Sequence, residues 1–176
     1  MLSRLIGKRF NCISRAVDML CLFLGEDHQI IGAHGQEIEV AEYSLHLQTQ
    51  WRFREGGKIL LGSRDVYEPY GENVPGDWQY DLTGRPDELS SVFDVKAKAL
   101  MVKMGGAFVS ACQLSEAHDI VIRFSNGVVF EQFTPASGKD EEWRLIDYAK
   151  DSHFVCYGET GIEIEKKSKK RLDSPL

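Results

Sequence analysis

The sequence predicts an α+β domain: a curved, mainly antiparallel β-sheet with one long helix packed against it. Three stretches carry that expectation. From Tyr43 to Phe53 every odd position is Tyr, Leu, Thr, Trp or Phe, and every even position is polar. In "DIVIRFSNGVVFEQF" an Asn-Gly pair sits between two apolar runs, and in "DELSSVFDVKAKALMVKM" apolar residues recur at helical spacing. The first is the mark of a strand with one buried face, the second of a hairpin, the third of an amphipathic helix. A length of 176 residues with 43% apolar content suits one core-bearing domain, expected over 1–165, with a basic, loosely ordered tail at 166–176.

Taken in order, the N-terminal residues Ile6, Phe10, Ile13, Val17, Leu20 and Leu24 also fit a helical stripe. The segments 10–12 and 19–24 are nonetheless dense in strand-compatible residues, and "SRAVD" can serve as a connecting turn. Two strands are therefore expected. In "AEYSLHLQTQWRFREGGKILLGSRD", Leu47, Trp51 and Phe53 face a core, while His46, Gln48, Gln50, Arg52 and Arg54 lie on the other side. A three-residue loop of Glu55, Gly56 and Gly57 would set Phe53 opposite Ile59 and Trp51 opposite Leu61. That register puts apolar on apolar and gives Gly57 the left-handed position of a bulged hairpin.

The helix is expected from Asp87, as cap, to a stop at Gly105-Gly106, with Leu89, Val92, Phe93, Ala97, Leu100, Met101 and Met104 inward. The second hairpin is expected to turn through Ser125–Gly127, pairing Phe124 with Val128 and Ile122 with Phe130. Arg123 and Glu131 then form a diagonal ion pair on the outer face. "EEWRLIDYAK" fits a short helix or strand, and "HFVCYGETGIEIE" one or two closing strands.

Composition narrows the function. A net charge of −6 and a pI near 5.4 disfavour a general nucleic-acid binder, whose affinity comes from Lys and Arg on phosphates. Such a charge suits a basic partner. Cys12, Cys21, Cys112 and Cys156 lie far apart and read as reduced core residues, with no metal-binding or redox spacing. After Arg4, Lys8 and Arg9 the apolar stretch is broken by Asn11, Ser14, Arg15 and Asp18, unlike a secretory signal, and the run 19–24 is too short to span a bilayer. A cytoplasmic protein with no membrane association is expected.

Catalytic signatures are absent. There is no GxSxG elbow, HExxH, DxDxDG or phosphate loop. His28 and His34, with Glu26 and Asp27, read as a polar connector, so neither a metal nor another cofactor is expected. His153 and Cys156 would point to opposite faces of one strand, and the pairs Glu141-Glu142 and Asp147 with Asp151 read as exposed charge.

Two surfaces remain. The stripe of His46, Arg52 and Arg54 could bind a small anion, with side chains about 7 Å apart along the strand. The alternative for that stripe is the solvated face of a sheet. More informative is the stretch from Gly62 to Glu88, with seven acids against Arg64 and Arg85, a charge of −5. Its acids Asp65, Glu68, Glu72, Asp77 and Asp81 alternate with Tyr67, Tyr70, Trp78 and Tyr80. Rings supply buried area and carboxylates steer a basic partner, which makes this the expected partner-binding surface. The competing reading is a surface loop whose rings fold back over the sheet.

The phrases "LIGKRF…RAVDMLCLFLG", "EYSLHLQTQWRF…GGKILLGSRDVYEP", "DIVIRFSNGVVFEQFTPASGKDEEWRLI" and "HFVCYG" together resemble a loose group of small bacterial proteins. Some of that group look like immunity proteins of polymorphic-toxin or contact-dependent inhibition systems. The resemblance carries no catalytic motif and no site residues. It implies a non-enzymatic cytosolic protein that neutralises a cognate toxin, for instance a basic nuclease, by binding it.

Overall fold

The computed structural model describes residues 1–31, 35–81 and 89–166. His34, the expected cap Asp87 and the tail beyond 166 lie outside the described residues.

The fold is α+β, with eleven strands and one α-helix among the described residues. Every strand pair is antiparallel, but the strands divide between two sheets. Strands β1 (Phe10–Ala16), β2 (Met19–Ile31), β3 (Glu37–Leu47), β9 (Glu141–Asp147), β10 (Ser152–Tyr157) and β11 (Gly161–Lys166) form a six-stranded sheet in that order. The other sheet runs β5 (Lys58–Gly62), β4 (Gln50–Glu55), β8 (Val128–Phe133), β7 (Ile120–Phe124), β6 (Val109–Leu114).

The alternating stretch from Tyr43 to Phe53 is what joins them. Its chain leaves one sheet at Leu47 and enters the other at Gln50, with Gln48 and Thr49 as the corner. The side-chain alternation survives the crossing: Leu45, Leu47, Trp51 and Phe53 are all buried. A two-residue corner keeps the inward parity, so one continuous pattern serves both sheets. The two inner faces share one core in which Leu22, Leu45 and Trp143 from the first sheet meet Phe53, Ile122 and Phe130 from the second. Each such fully buried side chain contributes roughly 1.5–3 kcal/mol of transfer free energy.

Helix α1 (Val92–Met104) starts at Ser91, not at Asp87. The Ser91 hydroxyl accepts from the Asp94 amide at 3.2 Å, and the Asp94 carboxylate accepts from the Ser91 amide at 3.1 Å. This reciprocal cap satisfies two orphan N–H groups, which an Asp87 start would leave to the unpatterned "LSS". Leu89 consequently lies before the helix, while Phe93, Ala97, Leu100 and Met104 are buried. The helix packs on β1 and β5, an edge strand of each sheet. It thereby covers two edges that would otherwise invite pairing with another chain.

The two hairpins differ from each other. Around Gly127 (φ 87°) the structure pairs Ile122 with Phe130, the expected register. Around the first turn, Glu55 lies opposite Lys58 and Arg54 opposite Ile59, so Gly56-Gly57 is a two-residue turn with the positive φ (54°) at Gly56. An irregularity after Ile59 then places Phe53 opposite Leu61. The chain thus keeps the tight turn and restores apolar pairing with a bulge, leaving Ile59 55% exposed.

The N-terminal pair is strand–turn–strand as expected, with Val17 at φ 61° in the turn. "EEWRLIDYAK" forms β9 and one 3-10 turn, and the closing segment forms the two strands β10 and β11. All four cysteines are free; Cys21 and Cys156 are buried.

Candidate functional site

The site lies at the sheet corner. Gln48, Thr49 and Gln50 of the β3–β4 crossing form one wall. Asp18 of the β1–β2 turn and Ser63, Arg64 and Tyr67 of a 3-10 turn after β5 form the second. Pro135, Ala136 and Asp140, leading from β8 into β9, and Glu141 and Glu142 of β9 close the third. Together they enclose a cleft of about 570 Å³. The two inter-sheet connections meet here, and main-chain groups that leave a sheet make such corners natural sites for polar side chains.

Hydrogen bonds fix the walls. The Gln48 amide donates to the Glu142 carbonyl at 3.0 Å, and the Thr49 hydroxyl donates to the Phe133 carbonyl at 2.6 Å. Tyr67 donates its hydroxyl to Asp18 Oδ2 at 2.8 Å and packs edge-on against Tyr80 with ring centroids 4.7 Å apart. Partial burial, with the Asp18 carboxylate adding to it, pushes the Tyr67 hydroxyl up to about 12, so it remains a donor throughout the physiological range.

Four carboxylates border the cleft, and their environments differ. Asp18 accepts from Tyr67. Glu141 takes both arms of Arg144, at 3.0 and 2.7 Å, and Arg144 also reaches Glu165 at 2.9 Å and His153 Nδ1 at 2.8 Å. Asp140 is exposed. Glu142 is only 7% exposed; its carboxylate has no hydrogen-bond or ion-pair partner among the described residues, and its oxygens keep contact with solvent, unlike the buried, unpartnered Ser44 Oγ and Trp51 Nε1. Its charge reaches the neighbouring strand: burial, and then Glu142, push the Cys156 thiol up to about 11. The expectation that Glu141-Glu142 is exposed charge is thus overturned at Glu142. It fails at Asp147 too, which is 1% exposed and accepts from Arg4 at 2.9 Å and from the Lys150 amide at 3.2 Å.

The acidic loop divides into structural and open residues. Asp65 accepts from the Gly62 amide at 3.0 Å and lies 3.6 Å from Lys96, so it terminates β5 and ties it to the helix. Trp78 is half-buried and donates its indole N–H to the Leu89 carbonyl at 2.8 Å, and Tyr80 packs against the core. These rings fold back. Tyr67 and Tyr70 stay 46% and 52% exposed, and Glu68, Glu72, Asp77 and Asp81 are exposed carboxylates. The Glu68 carbonyl accepts from the Val92 amide at 2.7 Å, which anchors the loop to the start of the helix.

The stripe of His46, Arg52 and Arg54 does not form an open anion site. His46 belongs to the six-stranded sheet and the two arginines to the five-stranded one. Arg52 and Arg54 both bind Glu131, at 2.6 and 2.8 Å. Arg52 lies opposite Glu131 in register, so these charges are met within the chain and the expected Arg123–Glu131 pair is replaced. Burial holds His46 below the ordinary imidazole value, an effect that Glu141 opposes and that Arg144 and His153 reinforce.

Among the described residues no group of three His, Cys, Asp or Glu side chains is placed to hold a metal ion, and no helix is long and apolar enough to cross a membrane. Glu142, Asp18 and Asp140 are the cleft residues that sequence reasoning missed. No local signal marks them, because Glu142 stands beside Glu141 and Arg144 in "DEEWR" and only the tertiary structure brings it to Asp18 and Asp140. No family model, no curated protein and no solved structure matches the chain.

Proposed function

We propose that this chain is a non-enzymatic, cytoplasmic binding protein that docks on a basic partner protein through the sheet-corner cleft and the acidic surface beside it. The observation that carries the reading is the set of carboxylates with no ion-pair partner among the described residues. It begins with Glu142 and Asp140 in the cleft and continues over exposed Glu68, Glu72, Asp77 and Asp81, with the Tyr67 and Tyr70 rings among them. Exposed rings between carboxylates provide buried contact area and electrostatic steering together. The resemblance noted in the sequence makes a bacterial toxin domain, for instance a basic nuclease, the partner class to try first, with the chain acting as its immunity protein. Binding of the partner, and not of nucleic acid, fits the negative charge.

The small-anion reading is weaker, because Glu131 already occupies the two arginines it needs. The test replaces Glu68, Glu72, Asp77 and Asp81 with Ser and titrates the variant with a purified toxin domain encoded beside this chain's gene. The reading expects the affinity to fall at least tenfold and the salt dependence to flatten. A complex that keeps both its affinity and its salt dependence, or the absence of any complex with the unaltered chain, would contradict it.

A further inference from the structure

The identity of the group that enters the cleft can be taken one step further, resting on the reading of this corner as a docking site for a basic partner. We propose that the cleft receives a guanidinium group, held by the Glu142 carboxylate and stacked against the Tyr67 ring.

The argument begins with what a buried carboxylate requires. Removing a charge from water is costly unless a donor or countercharge replaces the lost hydration. Buried Asp147 and the partly buried Glu131 and Asp94 meet that requirement within the chain. Asp147 has Arg4 and the Lys150 amide, and Glu131 has Arg52 and Arg54. Asp94 has Arg15 through both nitrogen arms at 3.0 Å. Glu142, 7% exposed, has no such partner among the described residues, and it lines the cleft. Its oxygens still reach solvent, so a carboxylate with no partner inside the chain faces a cavity large enough for an arginine side chain.

The surroundings favour a guanidinium over an ammonium. A planar fork can give one carboxylate two parallel hydrogen bonds, and its weakly hydrated faces stack on aromatic rings. The Tyr67 ring is 46% exposed and is held in place by Asp18 and Tyr80. Pro135 and Ala136 offer an apolar wall for the methylenes, and Gln48 and Gln50 offer amide oxygens for the remaining N–H donors. Asp18 and Asp140 add negative potential, against Arg64 as the one cation among the described residues that line the cleft.

Two sources share this chemistry: an arginine of a partner protein and a free guanidino compound. The experiment titrates the ¹⁵N-labelled full chain with N-acetylarginine amide. Saturable shifts are expected at the amides of Gln48, Thr49, Gln50 and Tyr67. They should be absent with N-acetylcitrulline amide, which keeps the shape without the charge, and weaker with N-acetyllysine amide. Glu142→Gln should lower the affinity at least tenfold, whereas the quadruple Ser variant of the exposed loop should leave it within about twofold. An equal response to the citrulline amide, measured on the unaltered protein, or an unchanged affinity in Glu142→Gln, overturns the proposal.

A nona-arginine peptide separates the sources. Displacement of the amide supports the cleft as a seat for a protein's arginine. A peptide that binds the loop while the amide stays bound supports a free guanidino compound there. If the quadruple variant weakens the peptide and Glu142→Gln changes neither ligand, the proposal fails and the basic-partner reading survives. If the amide binds through Glu142 and no basic protein binds at all, the partner reading fails and the guanidinium site stands.

Discussion

The outer face of the five-stranded sheet and the cleft at the sheet corner both gather charge, and they resolve it in opposite ways. On the sheet face, Glu131 lies between Arg52 and Arg54 and bonds to both, with the Arg52 guanidinium 5.1 Å from the Phe133 ring. The group is closed: each charge meets its complement in strand register. At the corner, Glu141 is likewise closed by Arg144, but its neighbour Glu142, 7% exposed, has no countercharge among the described residues. The contrast teaches that residue type does not identify a site here. The sheet face has the residues one would choose for anion binding, and the chain has already used them on itself. The corner has residues that looked like ordinary acidic surface, and there the charge is left unmet. A closed charge cluster is a stability device, while a carboxylate without a partner inside the chain is free to meet a group from outside.

This comparison can be broken by removing charges one at a time, and the largest stability effect is expected at the most completely closed pair. Arg15 is 11% exposed at its side chain, forms two bonds to Asp94 and donates to the carbonyls of Val17 and Tyr80. Arg15→Ala strands the helix-capping carboxylate and should cost about 2–3 kcal/mol, lowering the midpoint of thermal unfolding by about 5–10 °C. A loss below about 1 kcal/mol would show that closure at this junction matters little.

Next comes Glu131→Gln, which leaves two partly exposed arginines without their carboxylate. Solvent screening limits the expected loss to about 1 kcal/mol, read from denaturant midpoints. The pH dependence gives a sharper form of the same test. The hydrogen bond from Arg54, and then that from Arg52, hold the Glu131 carboxyl below its ordinary value. A carboxyl with a lowered folded-state value contributes stability in full above the unfolded value, about 4.3, and loses it as pH falls through the folded one. The gap between the unaltered chain and Glu131→Gln should therefore narrow as pH drops below about 4.3. A gap that stays constant would mean that the lost stability is not carried by this charge.

Much of the scaffold was legible because it depends on periodicity. Alternation placed Leu45, Leu47, Trp51 and Phe53 in the core, and the Asn-Gly signal placed Ile122 opposite Phe130. Periodicity could not reveal the crossing between sheets, because an even-length corner at Gln48-Thr49 leaves inward and outward parity unchanged. It also misjudged the first hairpin, where apolar pairing was achieved by a bulge after a tight turn and not by a longer loop. The helix start was legible in "SSVFD", whose Ser91 and Asp94 have capping-box spacing, but the more distant Asp87 competed for the role. The candidate site was the least legible part. Its walls come from four separated stretches, around Asp18, Gln48, Arg64 and Asp140, which only the tertiary structure brings together. Nothing local in "DEEW" distinguishes the closed Glu141 from the open Glu142, because the difference is Arg144 reaching one and not the other.

The smallest effect expected on stability is at Glu142, and it carries the central claim. The most direct measurement is thermal unfolding of the unaltered chain and of Glu142→Gln, each with and without N-acetylarginine amide at about ten times its dissociation constant. Without the amide, the variant should melt close to the unaltered chain, since the substitution removes no hydrogen bond or ion pair recorded among the described residues. With the amide, only the unaltered chain should gain about 1.4 kcal/mol, a rise of about 3–6 °C. A variant that melts several degrees lower, or one that gains as much from the amide as the unaltered chain does, would contradict the account of Glu142 as an open site.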